Sequence, residues 1–424
     1  MVSTGSSSSV PAADPAAPAV DIVVALTSYN DVRTIGAVAR AALDGLTRYF
    51  ASSAVRFVLA DAGSSDGTRE AAREVVGPSA LVEVEYDRGT KLGDLPYHGQ
   101  PGRAAALRAI LQTARDSNVK ACAVIDASLQ TVEPTWIERL ITPVLTDGFD
   151  YVSPYYFRHV NEGAITKGIV YPLFRALYGV RLRQPAASEF GCSGRLVAHY
   201  LDQDFWEAEQ ASAGIDLWLS VAAVSSEFRS CEAELGPRGA TSRSTPGDLG
   251  TTLAQVVGAM LSDVERRVNV WQRVRGSVAI PVFGVNTPAA VPDVPPLNAE
   301  ALIESFRLGY RELREIWTFV LPPRTIVELR KLTQMTPEQF RFDDRLWAGI
   351  VYDFALGYAF RALPQAHLLR SLTPLYTGWL ASFALQMKNA TVEQVEERVE
   401  QVCQGFEAEK RYLISRWRWP ERLR

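Results

Sequence analysis

From residue 21 onward, short apolar runs alternate with stretches of helical spacing. The runs over 21–26 and 55–60 stop at Thr27-Ser28-Tyr29-Asn30 and at Asp61, the run over 81–86 opens a polar loop, and Ala121 to Ile125 ends on Asp126-Ala127-Ser128. Apolar runs of this length bounded by polar residues predict buried strands of a parallel sheet. Helical spacing lies between them: over 32–49 behind Asp31 as N-cap, after the glycine-serine turn 63–68, and over 103–114. Strands alternating with such helices make βαβ units. Right-handed crossovers bring the strand ends to one side, where open α/β sheets bind ligands. Asn30, Asp61, Arg103 and Asp126 are therefore expected to converge, with Asp126 and Ser128 at the mouth of a cleft.

Past Ser128 the pattern predicts a helix over 133–145, a strand over 151–155, an apolar helix over 165–178, and a loop over 184–189. A short helix over 193–200, a helix over 217–224 opened by Gly214-Ile215-Asp216, a strand over 228–235 and a helix over 249–274 follow. Residues 281–298 carry five prolines and no helical period, which marks a linker. Four helices are expected beyond it, around 306–321, 345–362, 372–387 and 392–417, as a lid or an oligomerisation surface. The expected organisation is a disordered Ser/Pro/Ala tail over 1–20, an α/β unit over 21–280, the linker, and a helical unit over 299–424.

Composition changes this picture little. The chain has 424 residues, 47% hydrophobic and 22% charged, and a formal net charge of -4. That balance leaves no basic stripe for nucleic acid. Cys122, Cys192, Cys231 and Cys403 stand far apart with no metal-ligand spacing, which suits reduced thiols in the cytoplasm. No apolar run approaches the roughly 20 residues that span a bilayer, and residues 1–20 lack the basic and apolar regions of a signal peptide. Two carboxylates at equivalent strand ends suggest a nucleotide-sugar site: one can take a base N–H or ribose hydroxyls, the other the ribose or a cation on the diphosphate. No GxGxxG follows the first strand, which argues against a dinucleotide oxidoreductase.

The order Ala25-Leu26-Thr27-Ser28-Tyr29-Asn30, then Asp61-Ala62-Gly63-Ser64-Ser65-Asp66-Gly67-Thr68, resembles the start of GT-A-fold glycosyltransferases. Pro101-Gly102-Arg103, Gln184-Pro185, Glu189 and Gly214-Ile215-Asp216 are similar to the retaining mannosylglycerate, glucosylglycerate and glucosyl-3-phosphoglycerate synthases. The segment from Leu346 to Phe354 resembles the helical extension of the glucosylglycerate-synthase branch. The resemblance implies transfer of a hexose from a UDP-, GDP- or ADP-sugar to the hydroxyl of a small glycerate-like acid, with retention, by a likewise implied homodimer. It places Ala25, Leu26, Thr27 and Asn30 around the base with Asp61 beside them. Arg103 stands where that group has a phosphate-facing Lys, and Gln184 falls on the donor side. Asp216 and Glu189 become the catalytic carboxylates. Arg158 and Thr166, eight residues apart, bind the acceptor's carboxylate end, with His159 next to them.

The departures bear on the metal. The group reads Asp-x-Asp where this chain has Asp126-Ala127-Ser128, and it supplies a His where this chain has Ala240. A divalent cation (Mg or Mn) is left with Asp126 as a weak ligand. Arg238 and Arg243, in the loop that should carry the His, are candidate cations for the diphosphate. The alternative is a catalytically silent scaffold that keeps the fold. The acceptor residues and Asp216 favour a working transferase.

Overall fold

The computed structural model describes residues 20–87, 96–157, 162–208, 211–238, 248–284 and 297–419. One sheet contains β1 Ile22–Ser28, β2 Val55–Asp61, β3 Leu81–Glu83, β4 Ala121–Asp126, β5 Tyr151–Phe157, β6 Phe190–Ser193, β7 Ser230–Pro237 and β8 Val282–Phe283. The strands run in the order β3-β2-β1-β4-β6-β5-β7-β8. Every pairing is parallel except the two that β6 makes, with β4 and β5. Helices α1 Ile35–Tyr49, α2 Thr68–Val76, α3 Arg103–Asp116 and α4 Pro134–Thr146 connect the first strands. A π-helical turn, Thr166–Val170, leads into α5 Tyr171–Tyr178; α6 Gly194–Leu201, α7 Ala211–Ser225, α8 Leu249–Arg266 and α9 Val268–Trp271 follow. The C-terminal segment holds α10 Ala299–Trp317, α11 Pro323–Thr333, α12 Asp344–Ala359, α13 Gln365–Ser371, α14 Thr373–Gln386 and α15 Val392–Arg418. The expected fold class, a mostly parallel α/β sheet followed by an all-helical segment, is the one observed.

Alternation along β1 divides the interior. Ile22, Val24 and Leu26 pack under α1 and α4, while Val23 and Ala25 face α3 and the core of α5 to α7. That second core continues without interruption into the C-terminal helices. Trp317, Trp347, Ile350 and Phe354 are fully buried in it. Trp347 Nε1 donates to the Gly168 carbonyl at 2.8 Å. A Cβ on Gly168 would stand 2.2 Å from the Trp379 ring, so the π-helical turn accepts that indole only because the position is glycine. Arg175, fully buried on α5, pairs with Glu400 and with Glu407 on α15, the latter at 2.9 Å. Trp417 packs edge-on against Trp271, whereas Trp419 is 64% exposed.

Several elements differ from the sequence pattern. β6 is too short to show alternation, and a Cβ on Gly191 at its centre would lie 2.1 Å from the Leu140 carbonyl oxygen, so glycine lets the strand pass beneath α4. Asp31 is not the N-cap of α1: its carboxylate accepts the Tyr29 N–H at 2.9 Å, and Thr34 holds the cap position. α7 begins earlier than expected, so Asp216 lies in the helix body rather than at its N-terminus. α11 and α13 were hidden by flanking prolines, which read as breakers. Pro323 occupies the first turn of α11, where its missing N–H costs nothing. Within 281–298, Val282 and Phe283 form an edge strand on β7; residues 285–296 and the tail before residue 20 lie outside the described residues.

Candidate functional site

Sheet register sets the floor of the site. Thr27 stands opposite Asp126 across β1 and β4, and Ser28 opposite Asp61 across β1 and β2. Three strand ends thus stop at one level, and α3 starts beside them with Arg103. Of the four residues expected to converge, Arg103 and Asp126 come together, and their place is closed over rather than open. Asp126 is 4% exposed and Ser128 2%, because Arg103 and the chain around Ser188 cover the strand ends.

Arg103 is the hub. Its Nε donates to both Asp216 oxygens at 2.7 and 3.0 Å, and Nη2 donates to Asp216 at 2.9 Å and to the Ser188 carbonyl at 2.7 Å. Nη1 donates to Thr27 Oγ1 at 3.0 Å and Gln100 Oε1 at 2.9 Å. A guanidinium has five N–H donors, and all are engaged. Arg103 therefore does not offer a fork to phosphate in this state; it holds three carboxyl-bearing segments together. Asp126 lies 3.8 Å from Nη1 and accepts the Ser128 N–H at 2.9 Å. Burial pushes the Asp216 carboxyl above its ordinary range; Arg103 opposes this, while Glu189 and Asp126 add to it.

A second knot lies alongside. Glu189, fully buried, accepts from the Tyr156 hydroxyl and from Ser188 Oγ at 2.5 Å. Arg238, at the end of β7, reaches within 3.7 Å of Glu189, and its guanidinium carbon lies 5.4 Å from the Tyr156 ring centroid. Among the described residues its Nε and the Nε2 of Gln100 are buried donors with no acceptor, as are Trp136 Nε1 and the Tyr376 hydroxyl in the core. Buried polar groups are nearly always satisfied, and these two donors, beside three carboxylates, can be completed by an acceptor-rich ligand. Gln100 and Tyr156 are site residues that the sequence pattern does not single out. Gln100 carries no signal, and Tyr156 reads as one more aromatic of a strand.

Asn30 and Asp61 serve another end. Asp61 accepts the Gly63 N–H at 2.9 Å, the Ser64 N–H at 2.8 Å, Ser64 Oγ at 2.5 Å and Ser28 Oγ at 2.7 Å. An ionised carboxylate offers about four lone-pair sites, and these are filled, so the expected contact to a base is replaced by loop bracing. Asn30 sits at φ 54°, a left-handed conformation Asn tolerates; its N–H donates to Ser64 Oγ at 2.8 Å and its Oδ1 accepts the Ser65 N–H at 3.0 Å. Ala25 and Leu26 are covered on opposite faces of the sheet, at 0% and 1% exposure, so their side chains do not reach a ligand. Thr166 and Gln184 line a separate cavity bounded by β5 and α15, and Tyr156 is shared between that cavity and Glu189. Arg158, His159, Ala240 and Arg243 lie outside the described residues.

The donor set does not fit a divalent cation. Among the described residues no group of three or more His, Cys, Asp or Glu is arranged to hold a metal. Asp126 has one oxygen on the Ser128 N–H and an arginine near the other, where hard cations need several oxygens. Among the described residues no helix is long and apolar enough to cross a membrane.

No protein-family model matches the chain, and no curated protein matches it. Among solved structures it is similar to glucosyl-3-phosphoglycerate synthase from Mycobacterium tuberculosis in complex with Mn2+, UDP and phosphoglyceric acid, at 23% identity and a TM-score of 0.41, over 57% of this chain and 78% of that one. A second structure of the M. tuberculosis synthase aligns at 21% identity and a TM-score of 0.40, over 66% of this chain and 92% of that one. A mycobacterial protein aligns at 21% identity and a TM-score of 0.42, over 65% and 80%. At these values the likeness carries no argument about activity, and the functional reading rests on the site.

Proposed function

We propose that this protein is a GT-A-type glycosyltransferase that moves a hexose from a nucleoside diphosphate sugar to the hydroxyl of a small hydroxy acid. The observation that carries the reading is the pair of spare buried donors, Arg238 Nε and Gln100 Nε2, beside the Arg103–Asp126–Asp216–Glu189 cluster at the carboxyl ends of the strands. This is where an open α/β sheet takes its ligand. A diphosphate leaving group supplies the acceptor oxygens those donors lack, and Arg238 supplies charge as the glycosidic bond breaks.

In the reaction the C1–O bond to the diphosphate breaks with its electron pair going to the nucleoside diphosphate. The acceptor oxygen bonds to C1, and its proton passes to the departing phosphate oxygen, which retains the anomeric configuration. Asp216 orients the sugar hydroxyls, and Glu189, held by Tyr156 and Ser188, faces the reacting carbon. Arg103 positions both segments. The Mn2+ or Mg2+ seen with the M. tuberculosis synthase finds no matching donor set among the described residues, and the reaction is written here through side chains alone.

The test is a panel of UDP-, GDP- and ADP-hexoses with glycerate and 3-phosphoglycerate, run with a chelator, with products read by NMR. One pairing should give a glycoside of retained configuration. A folded protein that turns over none of them is the scaffold of the alternative reading.

A further inference from the structure

The cavity beside Glu189 is far larger than a three-carbon acid needs. It measures about 760 Å³ and lies between β5 and α15. A glycerate has seven non-hydrogen atoms and fills no more than about 200 Å³, even at the ~30 Å³ a water molecule takes in the liquid. The cavity falls instead in the range of roughly 300–1,000 Å³ that encloses ligands of twenty or more atoms.

Its chemistry is divided. Thr166 and Lys167 lie on the π-helical turn, where one anionic end of an acceptor can be held. Arg183 is already neutralised: it donates to Glu232 at 2.6 and 2.8 Å and lies 3.4 Å from the Tyr155 ring centroid. The opposite wall comes from α15, which contributes Val392, Val395 and Val399 together with Glu396, Glu397 and Gln401. Glu396 accepts from the Tyr155 hydroxyl, which ties that wall to β5. Carboxylates and amides facing aromatic rings accept from and donate to vicinal hydroxyls while a ring covers a sugar face. Tyr156 lines the cavity and donates to Glu189, so one side chain connects this cavity to the carboxylate cluster.

We propose that this cavity binds a polyhydroxylated acid of about disaccharide size as the acceptor, and that α15 selects it. The proposal rests on the glycosyl-transfer reading for its chemistry, but binding can be measured without it. The C-terminal helices thus contribute to specificity as well as to the core. The hydroxyl of this larger acceptor attacks C1 as written above, with the same departure of the diphosphate.

The experiment uses the full chain and three probes: maltobionate (a glucosyl-gluconate), maltose and glycerate, each titrated by calorimetry without nucleotide sugar. Gln401→Trp places an indole in the cavity from an exposed position of α15, and Arg411→Trp, exposed on the same helix and outside the cavity lining, controls for the fold. Maltobionate should bind at least tenfold more tightly than glycerate, and Gln401→Trp should cancel that preference while Arg411→Trp keeps it. Glycerate binding as tightly as maltobionate, or a preference untouched by Gln401→Trp, overturns the proposal. A separate titration with UDP-, GDP- and ADP-hexose reports on the transfer reading, so the two failures are told apart.

Discussion

Replacing Arg103 by Met is the sharpest perturbation of the site. The side chain is fully buried and its five N–H groups serve Asp216, Thr27, Gln100 and the Ser188 carbonyl, with Asp126 3.8 Å away. Met preserves much of the packing volume and removes the charge. It leaves two buried carboxylates without their cation, and breaking a buried pair from one side costs about 3–5 kcal/mol. Against a total stability of roughly 5–15 kcal/mol, the variant should fold but unfold early. At an m value of about 3 kcal/mol/M in urea, the midpoint should fall by about 1–1.7 M. Far-ultraviolet circular dichroism and tryptophan fluorescence should be followed together to check for a single transition. Asp216 protonates more readily once Arg103 is gone, so the variant should lose more stability at pH 8 than at pH 5. Adding Asp216→Leu should recover part of the loss, with a coupling of about 1–3 kcal/mol between the two positions. A midpoint shift worth under about 1 kcal/mol, or strict additivity of the two substitutions, would refute the assignment of Arg103 as the hub.

Gly168→Ala should destabilise by about 1–3 kcal/mol through the clash with Trp379. Gly349→Ala, whose Cβ meets nothing within 4 Å inside α12, should be neutral or stabilising by up to about 1 kcal/mol in the same denaturation assay. Asp353 is buried, which pushes its pKa up to about 7 over the opposing pull of Tyr412 and Arg416. The native state keeps a proton that the unfolded chain releases near pH 4, so stability should fall between about pH 4 and pH 7, by about 1.4 kcal/mol per unit at most. Asp353→Asn should flatten that slope in urea titrations across the same window; an unchanged slope would place the ionisation elsewhere.

The sequence made the first half of the sheet legible because β1, β2 and β4 are buried apolar runs with carboxylates at their ends. It could not show that Asp61 spends its oxygens on Ser28, Gly63 and Ser64, since the same Asp ends a strand whether it braces a loop or meets a ligand. Asp126, Asp216 and Arg103 were named as site residues, but their mutual pairing depends on α7 lying across α3, a contact no local pattern encodes. β6 was missed because a four-residue strand containing Gly191 has no period to read. The role of α15 was the least legible. Its heptad-like pattern gives the helix, while the face that meets β5 and α5 is set by single pairs such as Tyr155–Glu396 and Arg175–Glu407.

The Glu189–Arg238 knot should receive a nucleoside diphosphate sugar. Calorimetric titration of the full chain with UDP-, GDP- and ADP-hexose in the presence of a chelator measures this directly, with Arg238→Ala as the partner experiment. One donor should bind, and Arg238→Ala should weaken it by about 10- to 100-fold, the value of one hydrogen bond to a charged group at about 1.5–3 kcal/mol. Binding of no donor, or equal affinity with and without Arg238, would contradict the assignment.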